Sequence, residues 1–468
     1  MSITAAPDLS QRSALELAAL YRSRETSPVE ATQAILAHIE AHEPVVNAFA
    51  LLDAESALAA ARASEQRWLE GRPLSPIDGV PAAIKDLLLA KGWPTLRGSR
   101  AVNPDQPWDE DSPATARLRE QGAVLLGKTT TAEFGWKALA DSPLTGITRN
   151  PWNRLHTPGG SSGGSAAAAA LGFGPLQVAT DGGGSTRLPA AHSGAFGFKP
   201  SFGRVPGYPA AHTGTLFHIT ALTRTVRDAA LLLNATAQPD LRDFHALPPS
   251  GRDWLDGIDD GIKGLRIAFS PDLGYATVDP EVAALVARAV QSFAELGAVV
   301  DLANPGIAAD PLPIHRTLAN AGVARLFETW PVERRLLAEP GLQAVAERGR
   351  SITGADFVAA VQAREALARQ LWAFHTRWDL LLTPTTTTAA PLAEGHVGDA
   401  AQSAQISPFA YPFNLSQQPA ASVPIGFTRA GLPVGLQIVG PRHREDLVLR
   451  AARAFEQRHP FAFTDTVR

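Results

Sequence analysis

The sequence predicts an α/β fold, with one domain built on a mixed, largely parallel twisted β-sheet covered by helices on both faces. Two units of the 468-residue chain carry this prediction. A helix is expected from Asp111 to Gly122, and the apolar strand Ala123–Leu126 follows it. In the second unit the strand Leu265–Phe269, a helix from Asp279 to Gly297 and the strand Ala298–Leu302 succeed one another. Apolar strands alternating with helices are typical of such a sheet.

Further elements are predicted at the two ends of the chain. The first 70 residues are expected to be helical, with Ser27 as an N-cap in the capping signature Ser27-Pro28-Val29-Glu30. Strands are expected at Asp379–Thr383 and Pro433–Val439, and the last helix at Glu445–Gln457.

No fixed-period repeat and no clear linker divides the chain, so we expect one domain over residues 1–468. Within it, residues 1–70 form an N-terminal helical segment and residues 76–210 a core with the functional residues. Residues 211–468 complete the sheet, the covering helices and the substrate pocket.

Composition narrows the classes of function. Apolar residues make up 45% and charged residues 19%, which is typical of a folded globular protein. The net charge of −4 without a basic block argues against nucleic acid or an anionic membrane as partner. The chain has no cysteine, which excludes thiolate nucleophiles and disulfides. With no signal-peptide pattern and no unbroken apolar span, we expect a cytoplasmic protein.

Three segments carry residues suited to chemistry. In Thr157–Ser165, dense glycine lets backbone pack against backbone, and the alanine run that follows argues against a flexible linker. Gln177–Arg187 is a short strand that ends in three glycines and Ser185. Successive glycine N–H groups can form an oxyanion hole, and a serine there can attack a carbonyl. By itself, however, that turn fits an ordinary surface serine slightly better. Lys85, in Pro81–Asp86, would alone be taken for a solvated lysine.

Two familiar patterns are not taken as sites. Gly122–Thr129 fits the phosphate-loop pattern G-x-x-x-x-G-K-[ST], but its four middle residues are apolar and predict a strand. Gly159–Gly163 fits the G-x-S-x-G elbow of serine hydrolases but lacks the strand that must precede it. The twelve histidines form no H-E-x-x-H or H-x-H pattern, so neither a metal nor another cofactor is expected.

Lys85, Ser161 and Ser185 occur in an order and spacing that resemble the amidase signature family. The segments Gly-Gly-Ser-Ser-Gly-Gly-Ser and Asp-x-Gly-Gly-Ser-x-Arg together make this resemblance specific. Similar stretches extend it over nearly the whole chain; they are Gly79–Asp86, Gly127–Gly135, Thr148–Trp152, Phe198–Val205 and Asn414–Gln437. Small departures are Gly182 and Thr186, where bulkier aliphatic residues are common in the family.

The resemblance implies the same fold and hydrolysis of carboxylic amides by a Ser-Ser-Lys triad. Ser185 would be the nucleophile, Ser161 the bridging serine that carries a cis peptide bond, and Lys85 the base, which must be neutral to act. The implied oxyanion hole consists of the backbone N–H groups of Gly182, Gly183, Gly184 and Ser185. The implied supporting residues are Ser162, Asp181 and Arg187.

Two alternatives remain beside a free-standing amidase of linear amides. The A subunit of a glutamyl-tRNA amidotransferase would use the same triad. Its Ser-Ala-Gly-Tyr-Tyr-Asp type segment is not found here, and Ile314–Leu326 does not resemble its glutamine-site stretch. A catalytically inactive scaffold is disfavoured because all three triad residues are present.

The sequence does not select one substrate class, because amides, anilides, esters and carbamates can all be hydrolysed through one acyl-enzyme route. Pocket segments are expected near residues 133–146, 204–217 and 310–330. Six apolar or aromatic residues could line an apolar cavity or equally pack a core; they are Phe134, Trp136, Leu144, Tyr208, Phe217 and Ile219. A homodimer is implied by the resemblance alone.

Overall fold

The computed structural model describes residues 8–394, 407–463 and 467. Within them, thirteen strands are present: β1 (Phe49–Leu52), β2 (Pro81–Lys85), β3 (Val124–Thr129), β4 (Asp141–Ser142), β5 (Gly146–Ile147), β6 (Leu176–Asp181), β7 (Phe196–Lys199), β8 (His218–Thr223), β9 (Arg266–Phe269), β10 (Val299–Leu302), β11 (Leu380–Pro384), β12 (Ala420–Phe427) and β13 (Pro433–Val439).

Fourteen α-helices lie in the same described residues: α1 (Ala14–Ser23), α2 (Pro28–Val46), α3 (Ala54–Leu69), α4 (Pro113–Glu120), α5 (Gly163–Leu171), α6 (Arg187–Ser193), α7 (Val226–Thr236), α8 (Pro280–Glu295), α9 (Leu312–Glu328), α10 (Val332–Arg335), α11 (Pro340–Arg350), α12 (Gly354–Phe374), α13 (Pro412–Leu415) and α14 (Glu445–Arg458). None of the helices in this part of the chain is long and apolar enough to cross a membrane.

Eleven strands form one sheet in the order β1-β3-β2-β6-β8-β7-β12-β13-β11-β9-β10. Strands β3, β2 and β6 pair in parallel, as do β11, β9 and β10. The pairs between β6 and β11 through the middle of the sheet are antiparallel, and so is the pair of β1 with β3. The predicted mixed α/β fold is confirmed, with its parallel pairs on the two sides of the sheet. Short connections such as residues 428–432 between β12 and β13 permit only antiparallel pairing.

The predicted helix-to-strand units are confirmed. Helix α4 leads into β3, and β9, α8 and β10 follow one another as expected. Strand β13 has the predicted bounds, and α14 ends one residue beyond its predicted end at Gln457. Ser27 makes the predicted capping box with Glu30 at the start of α2. The segment that matches the phosphate-loop pattern contains β3, a strand as predicted.

The prediction that the first 70 residues are helical needs one correction, because β1 lies among them. Phe49–Leu52 is too short to display a period of two, and tertiary pairing rather than local sequence makes it a strand. It pairs antiparallel with the far side of β3, so β1 forms one edge of the sheet.

Helix α5 explains the glycine-rich and alanine-rich segment. All nine of its residues are buried, and it contacts β2, β3, β6 and β8. A Cβ atom on Gly164 would lie 2.4 Å from the Ala48 carbonyl oxygen and 2.5 Å from the Thr130 amide nitrogen. The glycine thus allows the first turn of α5 to touch the backbone at the end of β3. The serines that precede this turn are thereby held beside the sheet.

Candidate active site

The end of β2 places Lys85 in the interior. Side chains alternate between the faces of a strand, so Lys85 shares the face of Ala83. Ala83 packs in a cluster with Ala167 and Ala168 of α5. Lys85, two residues further on and fully buried, therefore lies near the beginning of α5. There its Nζ atom is 2.7 Å from Ser161 Oγ, 2.7 Å from Ser162 Oγ and 3.0 Å from Thr180 Oγ1.

The surroundings of this amine favour its neutral form. Burial lowers the pKa of Lys85 well below its usual value of 10.5, and the charge of Asp181 only partly opposes that shift. The three nearest polar groups are hydroxyls, which solvate a neutral amine without supplying a counter-charge. A lysine in its neutral state can accept a proton.

Ser161 and Ser185 lie on two loops that are bonded to each other. The Gly160–Ser161 peptide bond is cis. The Ser162 N–H donates to the Ser185 carbonyl oxygen at 3.1 Å, which ties the start of α5 to the turn after β6. Ser161 and Ser185 both line one cavity. The loops therefore bring together the residues of two distant sequence segments.

The N–H groups of the glycine turn after β6 differ in whether they are already hydrogen-bonded within the protein. The Gly184 N–H donates to Asp181 Oδ1 at 2.8 Å and is already occupied. In the described structure the N–H groups of Gly182, Gly183 and Ser185 have no such acceptor. The prediction that Gly184 supplies an oxyanion donor is therefore corrected. Gly184 has a φ of 120° instead, which lets the chain turn so that its neighbours expose their N–H groups.

Asp181 and Arg187 brace this turn from behind. Both side chains are fully buried, and the guanidinium pairs with the carboxylate through Nη2–Oδ1 at 2.9 Å and Nε–Oδ2 at 3.0 Å. Burial alone would raise the pKa of Asp181, but Arg187 outweighs it and holds the pKa well below its usual range. The side-chain oxygens of Asn414 and Gln437 accept two further guanidinium N–H groups at 2.7 Å each, and the Ala410 carbonyl oxygen accepts another at 3.0 Å. The ion pair is consequently fixed on every side.

The cavity in front of the serines measures about 580 Å³. Its apolar lining residues include Leu188, Phe134, Phe217 and Val323, and Ser161, Ser185, Gly182 and Gly183 also line it. A cavity of this size and character suits a small organic molecule. It leaves room for an acyl group and a leaving group around a bond held at the serines.

Comparison with known proteins indicates the family of the chain. The profile of the Amidase family matches residues 30–449. An acylamidase of Rhodococcus erythropolis is 35% identical, over 96% of each chain. The A subunit of the glutamyl-tRNA(Gln) amidotransferase of Myxococcus xanthus (strain DK1622) is 37% identical, over 96% of this chain and 97% of its own. The crystal structure of a bacterial aryl acylamidase of the amidase signature family superposes with a TM-score of 0.90 at 31% identity, covering 96% of each chain.

The chain belongs to the amidase signature family. Its fold and its action on amides follow at the level of that family, and the predicted resemblance is confirmed. The relatives include both an acylamidase and amidotransferase A subunits.

The predicted pocket residues of this amidase signature protein divide into three groups. Phe134, Trp136 and Phe217 line the cavity at the serines. Tyr208 and Ile219 line an adjoining cavity of about 350 Å³, which shares Phe134 and Phe217 with the first. The prediction for Leu144 is corrected, because Leu144 lies in the turn between β4 and β5 and lines neither cavity.

Helix α9 contributes residues that sequence reasoning missed, although the segment 310–330 was expected at the pocket. His315 lines the cavity, and its Nε2 lies 2.9 Å from the Gly182 carbonyl oxygen. Burial lowers the pKa of His315. It therefore contacts the glycine turn as a neutral ring. A lone histidine more than 100 residues from that turn gives no sequence signal of this contact.

Proposed function

We propose that the chain is a free-standing amidase, which hydrolyses linear carboxylic amides through an acyl-enzyme. In this proposal Ser185 is the nucleophile, Ser161 the proton bridge and Lys85 the base. The observation that carries it is the buried Lys85 amine at 2.7 Å from Ser161 Oγ, with Ser161 and Ser185 on the wall of the same cavity.

The hydroxyl hydrogens distinguish the two serines beside the lysine. Ser162 Oγ donates to the Thr180 carbonyl oxygen at 3.1 Å, so its hydrogen is occupied and its oxygen accepts from Lys85. Ser161 Oγ has no acceptor other than the amine among the described residues. Ser161 is thus free to donate to a neutral Lys85 and to accept from Ser185, which supports its role as the bridge.

The reaction follows from these positions. Ser185 Oγ attacks the amide carbonyl while its proton passes to Ser161 and the Ser161 proton passes to Lys85. The oxyanion receives hydrogen bonds from the N–H groups of Gly182, Gly183 and Ser185. Protonated Lys85 then returns a proton through Ser161 to the leaving nitrogen as the C–N bond breaks. Water repeats the sequence on the acyl-enzyme and releases the acid.

The cavity supports amides with an apolar acyl or aryl portion. Its apolar walls stand beside Ser185, and removal of apolar area from water stabilises binding by about 25 cal/mol per Å². Esters, anilides and carbamates can react by the same acyl-enzyme route, because only the leaving atom or the acyl substituent differs. The acylamidase and aryl acylamidase relatives support an amide or anilide as the preferred substrate.

The second candidate is glutamine hydrolysis by an amidotransferase A subunit, favoured by the 37% identity to one such protein. Glutamine carries an α-ammonium group, which needs a carboxylate partner when bound away from water. Among the described residues that line the cavity, none is an aspartate or glutamate. This composition supports the free-standing amidase over glutamine hydrolysis.

A substrate panel tests the proposal. Purified protein is assayed for release of ammonia or amine from benzamide, acetanilide, the matching phenyl carbamate and glutamine, and for release of phenol from the matching phenyl ester, with Ser185→Ala as the control. We expect Ser185-dependent hydrolysis of the amide or anilide without a partner protein. Hydrolysis of glutamine alone supports the second candidate, and activity retained in Ser185→Ala contradicts both.

A further inference from the structure

The cavity beside Ser185 carries an unbalanced positive charge. Its charged lining residues within the described structure are Lys137, Arg316 and Arg348. Lys137 is neutralised, because Asp141 and Glu339 each place a carboxylate oxygen 2.7 Å from its Nζ atom. In residues 8–394, 407–463 and 467, neither cavity arginine has a carboxylate within 4.0 Å.

The two arginines stand on neighbouring helices. Helix α9 turns Arg316, Ala319, Asn320 and Val323 towards the cavity, at the spacing of one helical face. Helix α11, which packs against α9, contributes Arg348. Both arginine side chains are exposed, so they stand where the cavity opens to solvent. Charges in that position attract an oppositely charged ligand into the cavity.

Other arginines on the same helices behave differently. Arg325 of α9 pairs with Glu328 at 3.4 Å, and Arg350 of α11 pairs with Glu347. Arg325 and Arg350 do not line the cavity at the serines. The arginines without a carboxylate partner are thus the ones that line the cavity. A ligand carboxylate fits this arrangement, because the planar guanidinium fork matches carboxylate geometry.

We propose that Arg316 and Arg348 bind a carboxylate on the substrate, remote from the bond that is cleaved. The substrate class is then an anionic amide, with an apolar spacer along the walls between the carboxylate and the amide carbonyl. This inference deepens the proposed function and rests on it for the cleavage step. Binding of the carboxylate is independent of that step. The carboxylate can belong to the acyl half or to the amine half of the amide.

Ligand binding to the Ser185→Ala protein tests the inference without turnover. Isothermal titration compares two matched pairs of ligands at low salt. In the first pair, glutaric acid monoanilide carries the carboxylate on the acyl half and its terminal carboxamide is the neutral partner. In the second, 4-acetamidobenzoate carries it on the amine half and 4-acetamidobenzamide is neutral. The titrations are repeated with Arg316→Gln and Arg348→Gln added together, and with Arg350→Gln added as the control, because Arg350 lines neither cavity.

We expect the acid to bind about ten-fold more tightly than its neutral partner in one pair, with the preference weakened by salt. The pair that shows it identifies the half of the substrate that carries the carboxylate. The preference should disappear in the Arg316/Arg348 variant and persist in the control. Equal binding of acid and amide in both pairs, absence of binding by either acid, or a preference that survives the Arg316/Arg348 changes overturns the inference. Hydrolysis of neutral amides by the wild-type protein is measured separately, so the proposed function stands or fails on its own.

Discussion

Lys85 Nζ lies 2.7 Å from Ser161 Oγ, in an interior where the lysine has lost contact with solvent. Burial lowers the pKa of the amine, and the hydroxyl beside it gives the neutral form a hydrogen-bond partner. This relationship makes a lysine usable as a base without any histidine. It also determines the expected effect on catalysis of substitutions at Lys85 and at the residues around it.

The first prediction concerns pH. Because the pKa of Lys85 lies well below 10.5 in the folded protein, the neutral amine forms at lower pH than in a free lysine. Acylation should therefore rise with pH and level off once Lys85 is neutral. Lys85→Ala should lose about 10²–10⁴-fold in the acylation rate and recover part of it at high pH. Single-turnover acylation between pH 4 and pH 10 measures this; a flat profile, or Lys85→Ala near wild type, contradicts it.

The second prediction separates the two serines at 2.7 Å from Lys85. Ser161→Ala removes the group that can donate to the amine and that lines the cavity, whereas Ser162→Ala removes a group whose hydrogen is held by Thr180. We expect kcat to fall substantially further for Ser161→Ala than for Ser162→Ala. Measurements of kcat and KM for both variants with one anilide test this difference. Equal losses would show that the relay does not run through Ser161 alone.

The third prediction concerns the glycine turn. A Cβ atom on Gly183 would lie 2.8 Å from His315 Nε2, so Gly183→Ala must displace the turn or the ring. Misplacement of about 1 Å at a catalytic group can cost about 10²-fold in rate. We expect Gly183→Ala to lower kcat on that scale, and the double variant Gly183→Ala/His315→Ala to recover part of the loss. His315→Ala alone is the matched control. If kcat did not recover in the double variant, the loss would not arise from the contact with the His315 ring.

The fourth prediction concerns the buried ion pair. Asp181→Asn leaves the fully buried Arg187 without a counter-charge, which typically costs about 3–5 kcal/mol of unfolding free energy. The exposed pair Arg227–Asp259 offers a control, since Arg227→Gln should cost about 0–1 kcal/mol. Chemical denaturation of both variants measures the difference, and similar costs would contradict the bracing role.

Asp181 also makes stability depend on pH. The pKa of Asp181 is lower in the folded protein than its usual value of 3.8. Its contribution to the free energy of unfolding is therefore fully present above pH 3.8. The contribution is lost as the pH falls below 3.8 towards the pKa of the folded state. Wild-type protein should therefore lose more unfolding free energy than Asp181→Asn over this acid range. Denaturation midpoints at matched pH values test the sign.

Much of this architecture was predictable because local sequence patterns determine it. Periodic apolar positions and capping residues placed α8, β10 and β13, and the capping box of Ser27 formed as expected. Strand β1 was missed because four residues carry too little periodicity and pairing with β3 decides their conformation.

The site was predictable to the extent that its chemistry lies in contiguous motifs. The structure brings Lys85, Ser161 and Ser185 to one place, as their resemblance to a known arrangement implied. Which glycine N–H groups are free depends on where the Asp181 side chain bonds, and that is a matter of tertiary geometry. His315 contacts the turn from a distant helix, and its neighbours on α9 have a spacing that also suits a core face.

The most direct test of the account is the site of covalent labelling and its dependence on Lys85. The protein is treated with a fluorophosphonate at several pH values, and the modified residue is identified by mass spectrometry of peptides. We expect a single adduct on Ser185, faster labelling as Lys85 loses its proton, and much slower labelling of Lys85→Ala at neutral pH. An adduct on another residue, or a Lys85→Ala rate equal to that of the wild type, would contradict the account.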